Sequence, residues 1–128
     1  QGRAGDQAGV AHAMKKKRSL RILVVEDKST LRMLIQAYII FADPHAVVIE
    51  ATNAAEGISL IDEMMPDLVI TDIHLGRAGT GFDVIAKAVG AGVRVIATSA
   101  RTHVVPDGVP FVPKEALMGA IGGLLHGE

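Results

Sequence analysis

The chain has 128 residues, no cysteine and a formal net charge of −1. A chain of this length forms one domain with a single substantial core, and the lack of cysteine excludes disulfides, thiolate catalysis and cysteine-ligated metals. Residues 1–21 carry six lysines and arginines against Asp6, so the remainder is acidic, which argues against a nucleic-acid-binding domain. No apolar stretch approaches the roughly 20 residues that a membrane helix needs. We therefore expect a cytoplasmic protein without a membrane partner.

The N-terminal segment differs from the rest of the chain because it has no periodicity. Residues 1–20 are predicted to form a basic flexible tail or linker, and one domain is predicted over residues 21–126. The first strand of that domain spans residues 21–26, and the first helix runs from a cap at Ser29 or Thr30 to about residue 42. Helical spacing assigns the inner face of this helix to Leu31, Leu34, Ile35 and Tyr38.

The next elements repeat the alternation of strand and helix. A strand at residues 47–49 precedes a helix that Asn53 can cap and that Pro66 ends. Its apolar stripe is predicted to consist of Ala54, Ile58, Ile61 and Met65. A third strand over residues 67–71, a glycine-containing loop, a short helix over residues 82–89 and a fourth strand over residues 93–98 follow.

The connection to the fifth strand is unusually short. Residues 100–110 join the fourth strand to a fifth at residues 109–112, and parallel neighbours usually need a dozen or more residues, commonly with a helix. We expect a loop or a single turn here. The last helix, residues 114–125, is predicted to face inward with Leu117, Ile121 and Leu124. Alternating strands and helices predict an α/β fold with a parallel sheet and right-handed crossovers.

Polar residues end four of the apolar runs. Glu26 and Asp27 follow the first strand, Asp72 follows the third, Thr98 and Ser99 end the fourth, and Lys114 follows the fifth. Ligands of open parallel sheets bind beyond the carboxyl ends of the strands. The sequence therefore predicts that these groups meet at one edge of the sheet and form a site.

Three carboxylates in one place indicate a cation site, because they repel one another unless a cation or protons relieve them. Oxygen ligands without cysteine favour Mg²⁺, for which Mn²⁺ or Ca²⁺ can substitute. Since Mg²⁺ typically takes only one or two carboxylates, one is left to act as a nucleophile, and carboxylates do form aspartyl-phosphates. Lys114 and a hydroxyl would neutralise charge on the transferred group.

The chain resembles the receiver domain of two-component response regulators over about residues 21–125. The matching segments are Ile22-Leu23-Val24-Val25-Glu26-Asp27, Pro66-Asp67-Leu68-Val69-Ile70-Thr71-Asp72, Val95-Ile96-Ala97-Thr98-Ser99-Ala100 and Phe111-Val112-Pro113-Lys114. The resemblance implies a doubly wound, flavodoxin-like five-stranded sheet of order 2-1-3-4-5. Because the connection before the fifth strand is short, we expect the family's fourth helix to be short or absent.

The resemblance also implies the site's chemistry. Asp72 would accept a phosphoryl group from a phosphohistidine of a sensor histidine kinase or histidine phosphotransfer protein. Asp27 would bind Mg²⁺ directly and Glu26 through water, while Asp72 and the backbone carbonyl of His74 would complete the protein ligands. The domain would thus be a phosphoacceptor signalling domain that assists its own phosphorylation and dephosphorylation, rather than an enzyme.

The family's switch residues have counterparts here. Counting from Arg94 assigns the switch hydroxyl to Ser99, and a shift of one residue would assign it to Thr98. Phe111 takes the position of the inward-turning aromatic residue. Lys114 is preceded by Pro113 and followed by Glu115, whereas the family normally has proline after the lysine.

Two further side chains flank the expected phosphoryl site. His74 lies two residues after Asp72, and Arg101 lies two residues after Ser99. We expect them to crowd or orient attacking water and so to set the lifetime of the phosphorylated state. The other histidines lack metal-ligand spacing and are expected at the surface: His12, His45, His103 and His126.

Three other functions compete with this interpretation. A haloacid-dehalogenase-type phosphatase needs a second aspartate where His74 stands, and a flavodoxin-like cofactor binder needs a phosphate loop after the first strand. A receiver-fold interaction module with vestigial or no phosphorylation stays open, because the lysine loop is altered. We expect no DNA-binding domain, and the chain could be a stand-alone receiver or a segment of a hybrid kinase. The kinase, the signal and the downstream protein target are not indicated by the sequence.

Overall fold

The computed structural model describes residues 18–76 and 79–127, which form a sheet covered by helices on both faces. The strands in these ranges are β1 (Arg21–Val25), β2 (Val47–Ala51), β3 (Leu68–Asp72), β4 (Arg94–Ser99) and β5 (Phe111–Pro113). The helices in the same ranges are α1 (Ser29–Ala42), α2 (Ala54–Met64), α3 (Gly81–Gly90) and α4 (Lys114–Leu125). All strand pairings are parallel and the order is β2-β1-β3-β4-β5, which confirms the predicted sheet.

Two apolar layers hold the helices to the sheet. On β1, Leu23 and Val25 point into the layer that α2 and α3 cover, and Ile22 and Val24 point into the layer that α1 and α4 cover. Both faces of β1 and β3 are buried, and this explains why these strands are apolar without alternation. The central strands are therefore fixed from both sides, and their carboxyl ends are held in a rigid frame.

Helix α1 has the predicted bounds, but its predicted cap is wrong and its predicted inner face is correct only in part: Ile35 is buried and Leu31 packs partly buried against the core, as predicted. Lys28 precedes the helix, and neither it nor Ser29 or Thr30 makes a side-chain cap hydrogen bond. The buried residues are Ile35 and Ile39, while Leu34 and Tyr38 are 45% and 43% exposed. Because exposed positions of this helix are also apolar, among them Met33, Leu34 and Phe41, hydrophobic periodicity could not identify the face that contacts the sheet.

Helix α2 confirms its predicted cap and corrects its predicted end. The Asn53 side chain accepts a hydrogen bond from the Glu56 backbone N–H at 2.8 Å. Met65, predicted on the inner face, lies after the last helical residue with a φ of 46° and a side chain that is 74% exposed. Pro66 accounts for this, because a proline disfavours the right-handed helical conformation of the residue before it.

The connection from β4 to β5 contains no helix or strand between residues 100 and 110, as predicted. Strand β5 begins at Phe111 rather than at residue 109, because a turn intervenes in which the Val109 N–H donates to the Pro106 carbonyl. The strand therefore pairs only with Ala97–Ser99, the second half of β4. This pairing is still sufficient to bring Pro113 opposite Ser99, and Lys114 follows at once.

The chain enters the domain along the amino-terminal edge of the sheet. The predicted tail over residues 1–20 lies outside the described residues except for its last three. Of these, Arg18 forms an ion pair with Asp67, and the Leu20 carbonyl accepts a hydrogen bond from the Val47 N–H at 2.8 Å. Among the helices in the described residues, none is long and apolar enough to cross a membrane.

Helix α3 begins in direct contact with the end of β3. The Gly81 N–H donates to the Ile73 carbonyl at 2.9 Å. A Cβ atom at Gly81 would lie 2.0 Å from the Asp72 carbonyl oxygen and 2.5 Å from the Ile73 Cα. Only glycine permits this approach, so the first turn of α3 sets the position of the backbone at Asp72.

We expect Gly81→Ala to destabilise the domain by at least about 3 kcal/mol, because backbone atoms must move to admit the methyl group. Gly119→Ala is the matched control in helix α4, where an added Cβ meets nothing within 4 Å. There the helix propensity of alanine should stabilise by about 0.5–1 kcal/mol. Urea denaturation of both variants measures the difference, and a Gly81→Ala variant as stable as the parent would contradict the close approach.

Candidate functional site

The predicted carboxylates meet at the carboxyl edge of the sheet. Glu26 and Asp27 follow β1, and Asp72 is the last residue of β3, the neighbouring strand. One carboxylate oxygen from each of the three lies within 4.8 Å of the others. Glu26 and Asp72 are buried and Asp27 is exposed, so the cluster has a buried floor and one solvent-facing carboxylate.

Lys114 supplies the positive charge of the cluster. Its Nζ lies 2.7 Å from Asp72 Oδ2 and 3.3 Å from Glu26 Oε1. Burial lowers the pKa of Lys114, but the hydrogen bond to Asp72 and the charges of Glu26 and Asp72 outweigh burial, so the pKa is raised above its ordinary value of 10.5. The ammonium is therefore fully charged at neutral pH.

Glu26 is a buried carboxyl group with a raised pKa. Burial raises its pKa from 4.5 to about 7, and a hydrogen bond with Asp27 and the charge of Asp72 act in the same direction. The Lys28 N–H donates to Glu26 Oε2 at 3.0 Å, and this bond together with the charge of Lys114 opposes the increase. Near neutral pH the cluster therefore binds a proton where a cation could bind instead.

One buried carboxylate oxygen of Glu26 is suited to contact with a cation. Oε1 is buried and accepts no hydrogen bond of acceptable geometry among the described residues, although Lys114 Nζ is near enough for an ion pair. A buried acceptor without a donor is costly, and a cation beside it would relieve the cost. Three carboxylates without sulfur or imidazole ligands suit a hard cation such as Mg²⁺.

Arg32 fixes the end of β1 and was not identified from the sequence. Its Nη1 donates to the Glu26 carbonyl at 2.8 Å, and its Nε donates to Glu50 Oε1 at 3.0 Å. The side chain thus ties the acidic end of β1 to the edge strand β2. Arg32 lies in a helix, six residues after Glu26, and this spacing is not typical of any motif. No sequence signal could therefore have identified its role.

Asp72 faces a cleft that is open to solvent. The second carboxylate oxygen, Oδ1, accepts a hydrogen bond from the His74 N–H at 3.0 Å. The cleft has a volume of about 360 Å³, and its lining includes Asp27, Asp72, His74, Arg101 and Lys114. The structure thus brings together the acidic residues, the lysine and the two flanking side chains that the sequence predicted near this site.

The two candidate hydroxyls are both buried at the end of β4. Ser99 Oγ accepts a hydrogen bond from the Arg101 N–H at 3.2 Å, whereas Thr98 Oγ1 has no hydrogen-bond partner among the described residues. Strand alternation directs them to opposite faces of the sheet, Ser99 with Ala97 and Thr98 with Ile96. Phe111 is half-buried and packs against the layer below α2 and α3, the same face as Ser99.

A contact between two histidines was not anticipated. His74 Nε2 lies 2.8 Å from His103 Nε2, and the ring centroids are 4.7 Å apart. His103 was expected to be an ordinary surface residue, yet it is half-buried and packs edge-on against Phe82. These histidines are 29 positions apart in the sequence, and no spacing rule connects such residues.

We expect Glu26→Gln to stabilise the protein above pH 7 when divalent cations are removed. The folded carboxyl titrates near pH 7 and the unfolded one near 4.5, so the folded state holds the extra proton between these values and loses stability as pH rises through them. The increase in the free energy of unfolding caused by Glu26→Gln should therefore grow between about pH 4.5 and pH 7. Above pH 7 it should stay constant, at up to about 3 kcal/mol.

Chemical denaturation with a chelator at pH 4.5 and pH 8 measures this difference. Glu63→Gln, on an exposed position of helix α2, is the control for loss of a carboxylate charge. If Glu26→Gln changes stability equally at both pH values, the pKa of Glu26 is not raised.

The comparisons with known proteins agree with this geometry. The family described as response regulator receiver domain matches residues 22–109. The receiver domain of the putative response regulator NarL from Mycobacterium tuberculosis has 22% sequence identity and a TM-score of 0.70, over 87% of this chain and 99% of that one. The response regulator domain of Thermotoga maritima CheB has 22% identity and a TM-score of 0.71, over 85% and 95% of the two chains.

A curated relative is similar over part of its length only. The protein-glutamate methylesterase/protein-glutamine glutaminase of Agrobacterium fabrum is 36% identical over 85 residues, which are 65% of this chain and 24% of that protein. The chain therefore spans about a quarter of that relative, and the activity in its name belongs to the relative. The family match covers more than half of the chain, and the fold and sheet order agree with it. The chain belongs to the response regulator receiver domain family and is a signalling domain of the two-component type.

Proposed function

We propose that this receiver domain accepts a phosphoryl group on Asp72 from a phosphohistidine of a sensor histidine kinase or histidine phosphotransfer protein, with Mg²⁺ as cofactor. Phosphorylation would then change the binding of a downstream protein. The observation that carries this proposal is the position of Asp72, at the end of a buried strand, facing an open cleft and 2.7 Å from the Lys114 ammonium.

The transfer is a displacement at phosphorus. An Asp72 carboxylate oxygen attacks, the P–N bond of the phosphohistidine breaks, and the released imidazole nitrogen keeps the electron pair and takes a proton from solvent. Charge develops on the equatorial oxygens, so a cation fixed beside the acceptor lowers the barrier. Lys114 suits this role because both contacts that hold it are with carboxylates of the same cluster.

The metal ligands would be Asp27, Glu26 through water, Asp72 and the backbone carbonyl of His74. Bound Mg²⁺ would supply neutralisation of phosphoryl oxygens and of the crowded carboxylates. The buried Oε1 of Glu26, which accepts no hydrogen bond among the described residues, and the mutual distances of the carboxylate oxygens support this ligand set. The raised pKa of Glu26 means that a cation competes with a proton here.

The switch would use a hydroxyl at the end of β4 and the aromatic ring of Phe111. Ser99 and Phe111 lie on one face of the sheet, which supports coupling between them. Thr98 stays an alternative, because its buried hydroxyl has no other hydrogen-bond partner among the described residues. On either choice, movement at the end of β4 would be transmitted to the connection that leads to β5.

A receiver-fold interaction module without phosphorylation is the second candidate. The altered sequence around the lysine, Pro113-Lys114-Glu115, favours it. The ion pairs that Lys114 forms with Asp72 and Glu26 argue against it, because they provide the charge arrangement that a phosphoacceptor needs. One experiment separates the two candidates.

Incubation of the wild-type protein with acetyl phosphate and Mg²⁺ should add the mass of one phosphoryl group, seen by intact mass spectrometry. Asp72→Ala should acquire no adduct, because the acceptor is absent. Asp67→Ala is the matched control, since this aspartate lies at the opposite end of β3, and it should be labelled like the wild type. A wild type without an adduct would favour the interaction module, and an adduct on Asp72→Ala would mean a different acceptor.

We expect His74→Asn and Arg101→Ala each to shorten the lifetime of the phosphorylated protein by about threefold or more. Both side chains line the cleft, and their removal should admit water to the phosphoryl group. The effect should stay below the roughly 10²-fold of a direct acid–base catalyst.

Decay of the adduct after removal of acetyl phosphate measures the lifetime. Thr102→Ala is the control, because Thr102 is exposed and adjacent to Arg101. Dephosphorylation of His74→Asn and Arg101→Ala at the parental rate would contradict a role in setting the lifetime.

A further inference from the structure

Two imidazoles lie in contact beside the acceptor cleft, and the proposed phosphoryl transfer does not use their rings. His74 is in the loop between β3 and α3, and His103 is in the connection between β4 and β5. Their Nε2 atoms are 2.8 Å apart and the ring planes are inclined by 59°. Two separate segments of the chain therefore bring these nitrogens into direct contact.

Neighbouring residues restrain the positions of both imidazoles. His74 lies between the buried residues Ile73 and Leu75, and its backbone N–H is bonded to Asp72 Oδ1. The ring of His103 packs edge-on against Phe82 at a centroid distance of 6.0 Å, and Val105, two residues on, packs against the core. The nitrogens are thus pre-positioned, while the exposure of His74 leaves the pair accessible to solutes.

Imidazole nitrogens are preferred ligands of the later transition metals. In the metal-free pair one Nε2–H donates to the other Nε2. A metal ion between the two nitrogens would take the place of that hydrogen, and the proton would move to Nδ1 of the same ring, so that both rings stay neutral. Two nitrogens at about 2.1 Å from a tetrahedral metal lie about 3.4 Å apart. The observed 2.8 Å is a hydrogen-bond contact, and adjacent positions of a square-planar or octahedral ion, about 3.0 Å apart, need less separation of the two rings than tetrahedral positions do.

We propose that His74 and His103 form a binding site for a divalent transition metal of the nickel and copper class, distinct from the carboxylate cluster. The metal would occupy two adjacent positions with the imidazoles and keep water in the others. Occupancy would tie the loop after β3 to the connection after β4, the two segments that border the Asp72 cleft. When a metal ion occupies the two histidines, phosphorylation of Asp72 should become slower. This consequence alone rests on the proposed function.

Titration with Cu²⁺, Ni²⁺ and Zn²⁺, each alone and in excess Mg²⁺ to occupy the carboxylates, tests the site. The wild type should bind one Cu²⁺ whose electron paramagnetic resonance spectrum reports two imidazole nitrogens. His103→Ala should weaken Cu²⁺ binding by at least about tenfold, because one of two protein ligands is lost. His103→Gln, which keeps more of the side-chain volume that packs on Phe82, should weaken it similarly.

Matched variants exclude other histidines. His45→Ala, His126→Ala and His12→Ala should each retain wild-type Cu²⁺ affinity. Wild-type affinity in both His103 variants, or a spectrum with a single nitrogen, would overturn the site, and tighter binding of Zn²⁺ than of Ni²⁺ would overturn the assigned geometry.

The metal site and the phosphoacceptor can fail separately. Asp72→Asn keeps the side-chain oxygen that accepts from the His74 N–H, so it should bind Cu²⁺ like the wild type while it cannot be phosphorylated there. The His103 variants should be labelled by acetyl phosphate without added transition metal. Labelling of the wild type should slow several-fold when Ni²⁺ is added, and labelling of His103→Ala should not.

Discussion

The contact between one ammonium and two buried carboxylates is the interaction on which the rest of this site depends. Lys114 Nζ lies 2.7 Å from Asp72 and 3.3 Å from Glu26. Without it, burial of Glu26 and Asp72 side by side would leave two charges without compensation, which is costly in a protein interior. With it, burial still raises the pKa of Glu26 to about 7, and the charge of Asp72 acts in the same direction. The burial of two neighbouring carboxylates that makes ionised Glu26 unfavourable also makes a bound cation favourable.

The topology of the sheet makes this contact possible. Strands β1 and β3 are neighbours, so the acids that end them meet without any long-range adjustment. The lysine comes from the far edge, where β5 pairs with only three residues of β4. Because those three residues are the last of β4, the register directs Lys114 to the acidic edge even though the connection contains no helix. A short edge strand is sufficient to place Lys114 when it pairs with the carboxyl-terminal half of its neighbour.

The sequence predicted the parts of the fold and site that depend on strands. Buried parallel strands are apolar on both faces, and their ends coincide, so the positions of Glu26, Asp72 and Lys114 followed from pattern and resemblance. Helix faces were harder to predict. Apolar residues at exposed positions of α1 hid the inward position of Ile39, and Pro66 moved Met65 out of its helix.

Side-chain contacts outside the strand pattern could not be predicted at all. Arg32 reaches the carbonyl of Glu26, and His103 reaches His74, through geometry that exists only after the sheet has formed. The choice between Thr98 and Ser99 would likewise depend on which face of β4 responds to the proposed phosphorylation. The helix-free connection after β4 carries Arg101 and His103 and leads to Phe111.

We propose that Asp72, and neither neighbouring carboxylate, carries the phosphoryl group. Borohydride reduction of the phosphorylated protein converts an aspartyl-phosphate to homoserine with release of phosphate, and peptide sequencing by mass spectrometry then locates the reduced residue. We expect homoserine at position 72 and unchanged residues at Glu26 and Asp27. Reduction at Asp27 or Glu26, with Asp72 intact, would contradict it.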